Sequence, residues 1–299
     1  MTLGQSLGVA LMGLDGHIVG VEVDIADGIP GYTLLGLPDA ALTESRDRVR
    51  SALVNCSESW PNRKVTVSLS PAWLPKSGPG FDLPIAIALL AAQQGIPLEW
   101  TREVLYLGEL ALDGRIRAVR GVLPSLIAAH KQGITVAVVP SSNRMEAQLM
   151  SEMTIIPMDH LRTLLKWLRT GERDEVQELA LAETSDEEVL DFVDVAGQER
   201  ARRAAEVAAV GGHHLLFIGP PGAGKTMIAE RIPGILPPLS REESLEVTAI
   251  HSIAGGLSAR SPLAKSPPFV SPHHTATRAA MVGGGSHQIK PGACSLAHS

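Results

Sequence analysis

The run His214-Leu-Leu-Phe-Ile218, then Gly219-Pro-Pro-Gly-Ala-Gly-Lys225-Thr226, then Met227-Ile-Ala-Glu-Arg231 decides how the C-terminal third of this chain is read. Its middle eight residues fit G-x-x-x-x-G-K-[ST], and the flanks predict a short buried strand before it and the start of a helix after it. That placement matters because a triphosphate concentrates several negative charges in one spot. The backbone must wrap it with N–H donors, and Gly219, Gly222 and Gly224 allow the close approach. The expected binding set is Gly219, Pro220, Pro221, Gly222, Ala223, Gly224, Lys225 and Thr226. Lys225 is assigned to the β- and γ-phosphates and the Thr226 hydroxyl to Mg2+, so ATP with Mg2+ is the expected ligand pair.

Working outward, Gly197–Val210 reads as an Ala- and Arg-rich helix that Gly211-Gly212 breaks. The second domain is expected over 191–299. Ahead of it, Glu172 to Asp194 holds ten acids and one base. This marks 171–190 as an acidic linker or exposed helix. The formal net charge of −6 is therefore local, because the remainder of the chain carries more bases than acids.

Residues 1–170 alternate strand-like and helix-like patterns. His17–Ile25 and Lys64–Ser70 alternate apolar with polar residues, and Ile134–Val139 is a β-branched run ending at Pro140. Asp39 is a candidate N-cap for a helix carrying Leu42, Val49 and Leu53 on one face. Leu83–Gln94 is apolar almost all round, which predicts a buried helix. The fold class is α/β. Every apolar run is too short or too interrupted to span a membrane, and Met1–Ala10 has no basic head, so a cytoplasmic protein is expected. Cys56 and Cys294 are too few and too far apart for a disulfide framework. His213-His214 and His273-His274 have no cysteine or carboxylate cluster beside them, so no metal other than Mg2+ is expected.

Several segments taken together resemble one family: Phe192-Val-Asp-Val-Ala-Gly-Gln198, Gly211-Gly-His-His-Leu-Leu216, the Gly219–Thr226 loop, Ile232-Pro-Gly-Ile-Leu-Pro-Pro238 and Pro272-His-His-Thr275. They are similar to the bacterial ComM/YifB proteins, the magnesium-chelatase-like AAA+ ATPases, and the resemblance runs the length of the chain. It implies the first part of a P-loop AAA+ αβα domain, Val195 and Gln198 near the adenine, and a homo-oligomer in the form of a hexameric ring. It also implies an ATP-driven motor for branch migration of DNA in homologous recombination during DNA uptake. In that family the run like Ser295-Leu-Ala-His298 leads into the Walker B strand. The chain is accordingly expected to bind nucleotide and to hydrolyse it poorly.

A second resemblance covers the first domain. Tyr106-Leu-Gly-Glu-Leu-Ala-Leu-Asp-Gly-Arg-Ile-Arg117, Leu126-Ile-Ala-Ala-His-Lys-Gln-Gly133 and Lys76-Ser-Gly-Pro-Gly80 are similar to the proteolytic domain of Lon-type proteases. This implies a Lon-protease-like α+β domain over 1–170. Aligned this way, Gly80 stands at the position of the catalytic serine and Ser125 at that of the lysine, so proteolysis is not expected. The neighbouring Ser77 and Lys76 are read as a turn residue and a solvated base. Three other readings compete with the DNA motor. One is a magnesium-chelatase motor subunit, disfavoured because the Lon-like domain precedes the P-loop. Another is an ATP-dependent protease. The last is a module that uses ATP only to assemble. From Gly255 to Ser299 there are four bases and no acid. Arg278 and Lys290 in that segment are the candidate DNA contacts.

Overall fold

The structure is a computed structural model of the chain, and it describes residues 2–172, 190–257, 262–285 and 290–298. Most of the acidic segment, 173–189, and Arg260 lie outside the described residues. The chain divides into two compact units. The first takes in 1–180 with 252–256 and 285–290, and the second takes in 181–251, 257–284 and 291–299.

The first unit is built on a seven-stranded mixed sheet in the order β3-β4-β2-β1-β5-β8-β9. Its strands are β1 Thr2–Met12, β2 Asp15–Ala26, β3 Gly31–Leu35, β4 Lys64–Ser70 and β5 Val104–Tyr106, followed by β8 Val136–Pro140 and β9 Thr154–Met158. A small separate ribbon pairs β6 Glu109–Leu110 with β7 Ile116–Arg117. β1 and β2 form a hairpin closed by the two-residue turn Gly13-Leu14, with Met12 opposite Asp15. Gly13 takes φ +63° there, which a tight hairpin turn demands. Four connections are parallel: β3 to β4, β1 to β5, β5 to β8 and β8 to β9.

The alternation read in the sequence of β2 and β4 is realised as a core face of Val19, Val21, Val23, Val65, Val67 and Leu69, all essentially without solvent exposure. Each such side chain contributes roughly 1.5–3 kcal/mol by leaving water. β1 carries no such signal, and the sequence reading passed over it. Its inward face is Gly4, Ser6, Gly8 and Ala10, all small and all buried. The reason is the approach of a helix: a Cβ on Gly4 would lie 1.9 Å from the Ala88 carbonyl oxygen. The Ser6 hydroxyl donates to the Pro84 carbonyl at 2.7 Å.

The helices of this unit are α1 Ala40–Thr43, α2 Ser45–Asn55, α3 Asp82–Ala92, α4 Glu99–Arg102, α5 Val122–Lys131, α6 Arg144–Ala147 and α7 Leu161–Thr170. Asp39 caps α1 by accepting from the Leu42 N–H at 2.8 Å. The helix expected after Asp39 is broken at Glu44 into α1 and α2, yet Leu42, Val49 and Leu53 are all buried. All eleven residues of α3 are buried. Trp100 beside α7 meets Trp167 with ring centres 4.9 Å apart.

In the second unit the described residues form α8 Glu199–Gly211, α9 Lys225–Ala229, α10 Arg241–Ala254, α11 Arg278–Val282 and α12 Ala293–Leu296. α10 ends among the residues grouped with the first unit. A small core joins Phe192, Val195, Ala205 and Ile228, with Phe217 and Met227 against it. The buried strand expected at His214–Ile218 is not formed. That stretch is unpaired, and Leu216 and Ile218 are 83% and 89% exposed. A strand exists only through hydrogen bonds to a neighbour, and no strand is formed among the described residues of this unit.

Candidate phosphate-binding loop and a cleft lined by Gly80 and Ser125

The Gly219–Thr226 run folds as a loop entering α9. Gly222 and Gly224 take φ +79° and +78°, a left-handed conformation that costs other residues about 1–2 kcal/mol. A Cβ added at Gly222 would meet nothing within 4 Å. That side of the loop is open, as a phosphate cradle requires. The Lys225 ammonium donates to the Gly219 and Pro220 carbonyls, both at 2.8 Å. It is thereby folded over its own loop, held by groups that a phosphate would replace with charge-assisted bonds. Thr226 is exposed at the start of α9. The residues present therefore fit a magnesium nucleotide.

Two further residues were placed near the adenine by resemblance. Gln198 starts α8 in a left-handed conformation, and its side-chain amide donates to the Ala223 carbonyl at 3.2 Å. It sits directly on the loop. Val195 is buried in the small core with Ile228 of α9, and its carbonyl accepts from Arg202 at 3.3 Å. Its side chain supports the loop from below.

The sequence reading missed Arg231. Its guanidinium donates to the Asp191 carbonyl at 3.0 Å and the Met227 carbonyl at 3.1 Å, and lies 3.8 Å from the Asp194 carboxylate. It ties the end of the loop helix to 191–194. Nothing in its spacing marks it, because its partners are mostly backbone oxygens.

The candidate DNA contacts fall in different units. Arg278 opens α11, which Thr277 caps, in the second unit. Lys290 is exposed and lies among the residues grouped with the first unit. The rings of His273 and His274 pack 4.1 Å apart.

In the first unit Gly80 and Ser125 line one cleft of about 640 Å3, together with Val9, Leu11, Val119 and Arg120. Gly80 belongs to the turn Pro79–Phe81 leading into α3, and Ser125 to the first turns of α5. The Ser125 hydroxyl is buried and donates to the Gly121 carbonyl at 2.7 Å. A Cβ at Gly80 would have nothing nearer than Val119 at 3.9 Å. The cleft keeps space for a side chain at Gly80, which carries no hydroxyl, and at Ser125 it holds a hydroxyl but no amine.

Lys76 was expected to be solvated, and it is not. It is fully buried, and its ammonium donates to the Pro71 carbonyl. Its backbone is fixed on both sides, its N–H to Leu37 and its carbonyl to the Asp39 N–H. Burial disfavours the charged amine and lowers its pKa. Ser77 lines the cleft while Lys76 does not, so the neighbours diverge and make no dyad.

Asp82, the first residue of α3, anchors the cleft loop from behind. Its buried carboxylate accepts from Arg48 Nε at 2.7 Å, Arg48 Nη2 at 2.9 Å and the Leu110 N–H at 3.2 Å. Burial pushes its pKa up to about 6, against the pull of Arg48 and that N–H. Sequence inspection could not find this pair, which lies 34 residues apart.

Comparison with known proteins agrees with both halves. The family model described as "Magnesium chelatase, subunit ChlI" matches residues 191–299, and the one described as "Subunit ChlI of Mg-chelatase" matches residues 21–143. The second match removes one expected distinction, because the first domain does not by itself separate this chain from chelatase-type proteins. An uncharacterized protein of Mycobacterium tuberculosis is 53% identical over 298 residues, covering 100% of this chain and 59% of the relative. YifB of Escherichia coli is 43% identical over 290 residues, 97% of this chain and 56% of the relative. The competence protein ComM of Haemophilus influenzae is 39% identical over 302 residues, 99% of this chain and 58% of the relative. A Lon protease of Brevibacillus choshinensis is 27% identical over 176 residues, 55% of this chain and 22% of the protease. The chain thus spans less than three fifths of the length of the ComM and YifB relatives. Matched along almost all of its own residues, it belongs to the ComM/YifB family of magnesium-chelatase-like proteins.

Proposed function

We propose that the second unit binds ATP with Mg2+ at Gly219–Thr226 and serves as the nucleotide module of a ring-forming, cytoplasmic DNA motor. The observation that carries this reading is the loop itself: two left-handed glycines, an open cradle, and Lys225 parked on replaceable carbonyls. Lys225 would turn from those carbonyls to the β- and γ-phosphates, and the Thr226 hydroxyl would help hold the magnesium. Gln198, already bonded to Ala223, would lie beside the base. The bound group supplies the charge that closes the loop. Hydrolysis needs a carboxylate that positions water, and Gly219–Thr226 contains none, so the loop by itself supports binding and not turnover.

The test is thermal. Mg2+-ATP at about 100 times its dissociation constant adds about 2.7 kcal/mol, which raises the melting midpoint by several degrees. Lys225→Ala should erase that rise; an equal rise in the variant would put the nucleotide elsewhere.

The DNA-motor reading is supported by the similarity to the competence protein ComM along 99% of the chain. A hexameric ring would bring several weak basic segments to one pore at high effective concentration. Arg278 and Lys290 would contact phosphates, giving affinity that falls steeply with salt. The chelatase reading is favoured by the match of both halves to magnesium-chelatase family models. The two separate in the full-length protein: a DNA titration across salt with Arg278→Ala and Lys290→Ala should show a lower slope, and an unchanged slope removes these residues from the DNA site. We also propose that the first unit cleaves no peptide bond, since Gly80 offers no hydroxyl and Ser125 no amine. Casein left intact, with no labelling by a serine-reactive probe, is the expected result.

A further inference from the structure

We propose that the cleft of the first unit is a binding site for an extended polypeptide segment bearing a carboxylate, which adds to the free edge of β1 without being cut. The first observation is the hydrogen-bonding register. The two-residue turn makes Met12 and Asp15 a mutually bonded pair. Counting back by twos, the N–H and C=O groups of Met12, Ala10, Gly8 and Ser6 face β2, and those of Leu11, Val9 and Leu7 face the opposite edge. On that edge β5 pairs only at Leu7 with Leu105. Val9 and Leu11 lie beyond it and line the cleft. Among the described residues no strand takes up their donors and acceptors. A row of unpaired strand groups is a template for one more strand.

The second observation is the shape of the space beside that edge. A cleft of about 640 Å3 is in the range of ligand sites. Its wall at Gly80 is empty for want of a side chain, and the nearest atom to a Cβ there is 3.9 Å away. An extended chain places alternate side chains on one face, so one of them would enter this space, between Phe81 and Val119.

The third is charge. Glu109 on the rim is paired with Arg117 at 3.3 Å. Arg120 is exposed on the same rim with no hydrogen bond or ion pair among the described residues, and Lys290, grouped with the same unit, lines the cleft as well. The uncompensated charge is positive, which selects an acidic segment. The buried Lys76 and the Asp82–Arg48 pair hold the loop behind the cleft in place and leave its mouth to these groups. The inference does not depend on nucleotide binding by the second unit.

The experiment uses the 299-residue chain and a fluorescein-labelled peptide of alternating Glu and Val, followed by anisotropy. We expect saturable binding, with about tenfold weaker binding of the same peptide N-methylated at alternate residues, which removes the donors a strand needs. Gly80→Leu, which fills the cleft from an ordinary backbone conformation, should abolish binding while the melting curve stays intact. Arg120→Ala should weaken the Glu-Val peptide several-fold and leave a Thr-Val peptide unchanged. Absence of saturable binding, or equal binding of the N-methylated peptide, overturns the proposal. So does wild-type dimerisation in sedimentation that Gly80→Leu removes, which would assign the edge to a second copy of the chain.

Discussion

Val67 on β4 and Ile218 ahead of the Gly219–Thr226 loop are both β-branched residues in segments read as strand, the first from alternation of apolar with polar residues and the second from a short apolar run. Val67 is fully buried, whereas Ile218 is 89% exposed. The difference lies in what stands next to each. β4 has β2 on one side and β3 on the other, so its hydrogen bonds and its apolar face are satisfied together. His214–Ile218 has no strand beside it among the described residues, and the Leu216 and Ile218 side chains face water while Phe217 alone packs on the small core. A loop such as Gly219–Thr226 depends on local dihedrals and a helix start, and it forms regardless. A strand is a relation between segments.

That contrast can be broken most strongly at the interior ion pair of the first unit. Asp82→Ala leaves the Arg48 guanidinium without its carboxylate and should cost about 3–5 kcal/mol, seen as a lower denaturation midpoint for the first unit. Little change would mean that the pair does not anchor α3.

A pH series sharpens the same point. The Asp82 carboxyl is held at about 6 in the folded protein against 3.8 for an ordinary Asp. The folded state therefore keeps the proton more tightly than the unfolded chain. The stability this contributes is complete below about pH 4, declines as pH rises, and is gone once pH passes about 6. Relative to Asp82→Asn, which does not titrate, the wild-type chain should lose about 3 kcal/mol across that window. A constant difference between the two proteins would show that the carboxyl titrates normally.

Within the loop of the second unit, Gly224→Ala forces an alanine into φ +78° and should cost about 1–2 kcal/mol, read as a loss of nucleotide-dependent stabilisation. Wild-type behaviour in that variant would mean that the loop has another conformation. The smallest effect is the most direct test of the comparison. Val67→Thr buries an unpaired hydroxyl and should cost about 1–3 kcal/mol, while Ile218→Thr should change this chain by less than about 0.5 kcal/mol. A large cost at Ile218 would show that the run is packed in solution after all.

Much of the first unit was legible because period-two alternation survives in β2 and β4 and continuous apolarity in α3. β1 was not, because the close approach of α3 replaces bulky residues with Gly4, Ser6 and Gly8, and small residues carry no periodic signal. Lys76 misled for a related reason: a lysine between Pro75 and Ser77 reads as solvated until the chain folds back and Leu37, Asp39 and Pro71 enclose it.

The sequence by itself determined the conformation of the Gly219–Thr226 loop, since left-handed glycines and a helix start are local properties set by residue types at fixed short spacing. It also fixed the identities of Gly80 and Ser125, which need no coordinates. Only the tertiary structure decided that those two positions share one cleft, that the cleft borders an edge of β1 left unpaired among the described residues, and that Arg48 meets Asp82. Each of these joins residues far apart in the chain, and hydrogen-bond register, burial and charge pairing across such distances exist only once the chain has folded.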